Sequence, residues 1–334
     1  MVPDRKLSEL AAASAEIGSN ELLVQGPGGN TSIKSRDELW VKASGLWLSE
    51  ATERSIFVPI DLAALRERGT AEVADDLVIR SRGGSDLRPS IETLLHAVVP
   101  HPVCLHTHSV NAMTVSVLRD GPAIAAERLA GLAWAWIPYC RPGTPLAQTV
   151  AETMAARDAD ILLLQNHGLV IGAETPAAAI ALLQIVEERL AQPVRELPAP
   201  DPHMLEQIGD SDYEIDQVAS MYALDATTAD VLTKGALIPD QTLFLGGAVP
   251  ALRPGESAME AAEGRHARTG VWPSMMLSPS IGTVSRRDRS KAAEAVVNGL
   301  LAIACRLAPG AEVCCLSDND VSELLGWEAE HYRQ

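Results

Sequence analysis

The sequence predicts an α/β protein built in two parts, and three observations carry that reading. Strand-like apolar runs alternate with helix-period segments from Leu7 to Leu190. The run Gln192 to Pro202 then holds four prolines in eleven residues without periodicity, which marks a linker. At 334 residues the chain also exceeds the usual size of one domain. The expected organisation is a first domain over 1–192, a linker over 193–202 and a smaller C-terminal α/β domain over 203–334.

Leu7 to Ile17 sets apolar residues at helical spacing behind Ser8 and Glu9, predicting a first helix. Gln25 to Ser32 packs three glycines and a proline into eight residues, a turn-rich loop. Short antiparallel strands are expected around Ile33, Leu39-Trp40-Val41 and Leu46-Trp47, with another over Ile56 to Ile60. Asp61 can cap a helix over Leu62 to Arg66, and Ser90 one running from Ile91 to about Val99. Pro100-His101-Pro102 stops it, because proline lacks an N–H and forces its predecessor out of the α region. A strand over Val103 to His108 follows, then helices over Val110 to Leu118 and Ala123 to Ala130. Ala133 to Ile137 reads as a strand and Leu146 to Ala156 as a helix. Ile161 to Leu164 is a buried strand ending at Gln165-Asn166-His167-Gly168, and Pro176 opens an apolar helix through Leu190. Beyond the linker, strand-like runs at Leu243 to Leu245 and Val313 to Leu316 flank a strong helix from about Ser290 to Leu307.

Composition narrows the partners. Hydrophobic residues make up 47% and charged residues 21%, which is ordinary for a folded globular chain. With 27 Lys+Arg against 44 Asp+Glu the formal charge is −17, so no nucleic acid and no anionic membrane surface is expected as a partner. The apolar stretches are too short to cross a bilayer, and Met1 to Leu7 lacks a signal-peptide core, which points to the cytoplasm. Five cysteines without C-x-x-C spacing read as buried thiols.

Three clusters can carry chemistry. His106 and His108 share one face of a strand, close enough to share a metal, although chance alone gives about 0.2 such pairs in a chain of this histidine content. His167 closes another strand within Asn-His-Gly, where it is either a third ligand or a hydrogen-bonded core residue. Glu92 reads as a solvated first-turn carboxylate or, beside apolar Leu94, Leu95, Ala97 and Val98, as a proton-abstracting group. Gly28-Gly29-Asn30-Thr31, Lys42-Ala43-Ser44-Gly45 and Arg88-Pro89-Ser90 form a candidate anion cradle. The glycine loop fits neither the dinucleotide pattern G-x-G-x-x-G nor the P-loop, which lowers the weight of nicotinamide and nucleotide triphosphate chemistry.

Taken in order, Gly28 to Ser32, Ala43-Ser44-Gly45, Pro89 to Glu92 with His96, His106 to Ser109, Pro138-Tyr139 with Gly143-Thr144, and Asn166 to Leu169 resemble the class II aldolase and adducin family. The resemblance covers about residues 7 to 192. The wording Pro89 to His96 and the ending Leu324 to Arg333 look closer to the aldolase half of bifunctional rhamnulose-phosphate aldolase/dehydrogenase proteins. This implies an αβα sandwich around a mainly antiparallel sheet, assembled as a homo-oligomer, commonly a tetramer. It also implies that His106, His108 and His167 hold a divalent metal, most often Zn2+, with Glu92 as acid/base and Tyr139 protonating the departing aldehyde oxygen. Three imidazoles with an open position suit catalytic zinc on chemical grounds as well, and cobalt, manganese or iron could replace it.

By the same resemblance the reaction is aldol cleavage of a small ketose through a metal-stabilised enediolate, and Asn30, Ser44, Gly45 and Ser90 match phosphate-binding positions. Ile91 stands where the fuculose-phosphate aldolases carry a second serine, which removes one phosphate donor; Lys34, Lys42 and Arg88 could compensate, but are by default solvated. The scaffold is shared by 4-epimerases, dehydratases and decarboxylases of sugar phosphates, and by adducin, an interaction module without the metal ligands. His96 is expected to be structural, and the C-terminal part to serve assembly or to cover the site.

Overall fold

The computed structural model describes residues 4–68, 87–205 and 210–327. They divide into two compact units, one running through Ser116 and then over Pro122–Ala191, the other taking Val117–Gly121 together with the chain from Gln192 onward.

In the first unit, α1 (Asp4–Gly18) leads into β1 (Asn30–Ser35), β2 (Glu38–Lys42), β3 (Phe57–Asp61), α2 (Leu62–Arg68) and α3 (Thr93–Val98). Next come β4 (Val103–Thr107), α4 (Val110–Ser116), α5 (Gly121–Arg128), β5 (Trp134–Ile137) and α6 (Thr144–Ala156), followed by β6 (Ile161–Leu164), β7 (Gly168–Ala173) and α7 (Pro176–Leu190). The strands form one seven-stranded sheet in the order β3-β2-β1-β4-β7-β6-β5. Only the β5–β6 pair is parallel.

Strand periodicity sorts the core into two layers, because successive side chains point to opposite faces. On β6, Ile161 and Leu163 join the cluster holding Leu10 and Ile17 of α1, Val115 of α4 and Leu183 of α7. Leu162 and Leu164 join the opposite cluster, with Leu95 of α3 and Leu146 and Val150 of α6. Helices therefore cover both faces, giving the αβα sandwich. Pro59 is tolerated inside β3 because that strand is the sheet's edge, where a missing N–H costs no ladder bond.

Several elements depart from the sequence reading. Leu46-Trp47 is not a strand, since Gly45 turns the chain at φ +74° and Leu48–Glu50 forms a 3₁₀ turn whose Glu50 side chain accepts the Trp47 N–H. The helix expected from Ile91 starts at Thr93, because Ser90 uses its hydroxyl to hold the Glu92 N–H and its carbonyl to hold Thr93. Glu92 thereby occupies the N-cap position instead of the first turn. His108 lies just past the end of β4, and β7 was not expected at all. Asp61 does cap α2, accepting the Ala64 N–H at 2.9 Å.

The second unit contains α8 (Pro202–Leu205), β8 (Tyr213–Ile215), α9 (Gln217–Leu224), α10 (Ala226–Lys234), α11 (Pro239–Leu245) and α12 (Ala258–Thr269). It continues with β9 (Met275–Ser278), β10 (Gly282–Arg286), α13 (Lys291–Ala304) and α14 (Asp318–Leu325). The strands make an antiparallel sheet, β8-β10-β9, with α9 packed on β10. The run Leu243 to Leu245 is helical, not extended: Pro239 opens α11, and Gly246 ends it in the left-handed region at φ +71°. Val313 to Leu316 makes only a single bridge, between Val313 and Leu118. Arg287 pairs with Glu214 and Arg286 with Asp288.

All five cysteines are thiols, with Cys104 and Cys305 buried and the others half-buried. Among the described residues no helix is long and apolar enough to cross a membrane.

Candidate metal centre and anion cradle

The candidate residues converge at one end of the sheet's central strands. Antiparallel pairing sets Asn30 at the start of β1 opposite His106 on β4, and His106 opposite Val170 on β7. His167 sits in the tight turn joining β6 to β7, where Asn166 adopts φ +55°. The rings of His106, His108 and His167 lie edge to face with centroids 4.9 to 5.5 Å apart. Their candidate ligand nitrogens all fall within 4.8 Å of one another, and all three side chains are buried.

Close backbone approach makes room for this cluster. A Cβ at Gly168 would lie 2.5 Å from the Thr107 carbonyl oxygen, and one at Gly28 would lie 2.8 Å from His108 Nδ1. Glycine is thus required at both places for β7 and the β1 loop to press against residues 106–108.

His106 Nδ1 donates to the Leu169 carbonyl at 3.1 Å, which leaves the Nε2 lone pair facing Glu92 Oε2 at 3.3 Å. His167 Nε2 lies 3.4 Å from the other carboxylate oxygen. A carboxylate braced against imidazole nitrogens in a buried site calls for a cation among them, and three neutral imidazoles are a donor set suited to a divalent metal. The residues fit such an ion. Burial works to raise the Glu92 carboxyl, but the His106 and His167 imidazoles, the Asn30 hydrogen bond and His108 outweigh it and hold the group well below the usual carboxylate range.

Around this centre runs a supporting layer that sequence reading had not placed. Ser109 donates to Glu187 Oε1 and caps the N-terminus of α4, while Asn111 Nδ2 donates to Glu187 Oε2 at 2.9 Å. Ser109 is a readable N-cap directly after His108, but nothing in the sequence links it to Glu187. His96, expected to be structural, is fully buried between Ser32 Oγ at 2.7 Å and Asn30 Oδ1. Burial, reinforced by His106, pushes the His96 imidazole down to about 3, so it is neutral.

The cradle is also assembled. Gly29, Asn30, Lys42, Ser44, Gly45, Ser90 and Glu92 line one narrow pocket together with Pro27 and Ile91. The Ser44 and Ser90 N–H groups are spent on the Arg88 and Lys42 carbonyls, which turns the side chains into the donors available to an anion. Lys42 is not a solvated surface charge: it is buried, and its Nζ donates to the Pro27 carbonyl at 2.8 Å. Lys34 is likewise buried and donates to the Val99 carbonyl, away from the pocket, while Arg88 is exposed. Tyr139 does not line this pocket. Its N–H donates to Gln165 in the β6–β7 turn, two residues before His167.

The family model described as the class II aldolase and adducin N-terminal domain matches residues 8–193. The chain is 33% identical over 201 residues to YuxG, an uncharacterized oxidoreductase of Bacillus subtilis, covering 54% of this chain and 29% of YuxG. It is 26% identical over 173 residues to an L-fuculose phosphate aldolase of Methanococcus vannielii, covering 49% of this chain and 83% of that one. The N-terminal class II aldolase domain of a conserved Thermoplasma acidophilum protein is 28% identical, with a TM-score of 0.48 over 57% of this chain and 94% of that domain. The chain therefore spans less than a third of YuxG and most of the aldolase. With more than half of its length matched by the family model, this chain belongs to the class II aldolase and adducin family.

Proposed function

We propose that this chain is a metal-dependent aldolase that cleaves a small ketose, a ketose 1-phosphate in particular, with zinc held by His106, His108 and His167. The observation that carries the reading is the Glu92 carboxylate, buried and braced between two imidazole nitrogens and the Asn30 amide. A divalent cation in that histidine set supplies a Lewis acid for a carbonyl or hydroxyl oxygen of the substrate. Glu92 is the proton carrier: in the condensation direction it takes a proton from the carbon next to the carbonyl, and in cleavage it returns one there. Tyr139 gives a proton to the departing aldehyde oxygen. The Ser44 and Ser90 hydroxyls and the Lys42 ammonium grip the anionic end, Lys42 standing in for the serine that Ile91 replaces. The same reading extends to a homotetramer in the cytoplasm, for which light scattering should give four times the chain mass of 35.5 kDa.

YuxG's designation as an oxidoreductase belongs to a protein of which the match covers 29%, and the glycine loop here lacks the dinucleotide spacing. The test uses dihydroxyacetone phosphate in deuterated water, which needs no knowledge of the aldehyde partner. Zinc-loaded protein is expected to exchange one carbon-bound proton for deuterium, read by proton NMR. Glu92→Gln should lose about a thousandfold in rate while keeping its zinc, and His106→Ala should lose both. An inert wild-type protein carrying one zinc per chain would sink the aldolase reading, and one that takes up no zinc would leave an adducin-like binding module.

A further inference from the structure

A chain of hydrogen bonds runs from Glu92 through Asn30 and His96 to Ser32, all buried, and with a neutral His96 ring the carboxylate sets the direction of each. An ionised carboxylate only accepts, so Asn30 must present Nδ2 to Glu92 Oε2, at 2.8 Å. The amide oxygen of Asn30 is thereby turned to His96 Nε2, which must carry the proton. His96 Nδ1 is left as an acceptor, and Ser32 Oγ at 2.7 Å donates to it. The three side-chain hydrogen bonds of Ser32, His96 and Asn30 thus run in one direction, toward Glu92. Two local periods build this ladder. Asn30 and Ser32 are two apart on β1 and share a face, while Glu92 and His96 are one helical turn apart, linked by the His96 N–H to the Glu92 carbonyl.

We propose that Asn30 and His96 are positioning residues for the Glu92 carboxylate. The proposal rests on the aldolase reading of Glu92. An apolar side chain at 96 would leave Asn30 Oδ1 buried without a donor, and an amide flipped to avoid that would set its oxygen against the carboxylate. Either way Glu92 loses the contact that holds one oxygen toward His106 and the other toward His167.

The test uses full-length zinc-loaded protein and the exchange of dihydroxyacetone phosphate protons with deuterium. His96→Leu and Asn30→Ala should lower the maximal rate by on the order of 10- to 100-fold with one zinc per chain retained, and His96→Leu, which leaves the cradle lining intact, should keep KM within about twofold. His96→Gln, whose amide can both donate to Asn30 and accept from Ser32, should recover most of that rate. A raised KM with an unchanged maximal rate in Asn30→Ala would make Asn30 an anion ligand and overturn the proposal. Equal losses in His96→Leu and His96→Gln would also overturn it, since His96 would then only fill space. A second readout needs no activity: ¹⁵N NMR of histidine-labelled protein should show the signal missing from His96→Gln as a neutral ring protonated at Nε2. A ring protonated at Nδ1, or at both nitrogens, would overturn the hydrogen-bond order. If wild-type protein exchanges nothing, the aldolase reading fails by itself, and the tautomer still decides whether the ladder exists.

Discussion

Lys34 is an amine placed where an ion is costly. It lies on β1 with its Nζ donating to the Val99 carbonyl at the end of α3, and burial pushes its pKa down from 10.5 to about 8, opposed by Cys104 and helped by Arg66. Between those two values the unfolded chain binds the proton that the folded chain has released, so stability rises with pH across that window and is constant below it. The gain amounts to about 3 kcal/mol. Burial also pushes the Cys104 thiol up to about 12, which acts with the opposite sign above its ordinary 9. Urea unfolding at pH 7.5 and about 10, compared between wild type and Lys34→Met, isolates the lysine: the variant should lack the rise. At this scale the sequence was legible in residue type only. His106, His108, His167 and Glu92 could be singled out by chemistry and order, whereas the burial of Lys34 and Lys42 depends on strands and loops far away in the chain.

Element ends follow local rules, and α9 shows how much one cap can hold. Asp216 accepts the Ala219 N–H with one oxygen at 2.9 Å, and with the other accepts Ser285 Oγ at 2.9 Å and Arg289 at 3.1 Å. Asp216→Ala should therefore cost about 2 to 3 kcal/mol, more than a simple cap, because Ser285 loses its acceptor and Arg289, which also reaches Glu294, loses one of two. Asp216→Asn, which keeps the cap, should cost less; equilibrium unfolding in urea reads both. The periodic helices α1, α6, α7 and α13 were legible because each has one apolar stripe. Leu243 to Leu245 read as a strand because every residue of α11 is buried, so no polar face reveals the helical period. β7 escaped notice because Gly168 and Gly172 break its pattern, and their reason is visible only in three dimensions: Thr107 and His101 press on them.

At the scale of the molecule, all nine candidate site residues fall in the first unit, and the second has no chemistry assigned to it. The mixed α/β class was legible from the alternation of strand-like and helical segments, while the sandwich and its mainly antiparallel order came from family resemblance. If the three histidines hold zinc in the folded chain alone, zinc at a hundred times its Kd should stabilise the protein by about 2.7 kcal/mol. That corresponds to a rise in Tm of roughly 5 to 10 °C, and His106→Ala should show none of it.

The strand order has a consequence in time. β1, β2 and β3 are neighbours in sequence, as are β6 and β7, and such hairpins close early. The registers that unite the candidate ligands join residue 30 to 106 and 106 to 170, which close late because long loops must be ordered first. If the three histidines hold a metal, a chain still emerging from the ribosome, or half refolded, therefore offers the ion only the neighbouring His106 and His108. The third imidazole arrives with the β6–β7 hairpin, and on that reading a tight hold on the ion is reserved for a finished sheet.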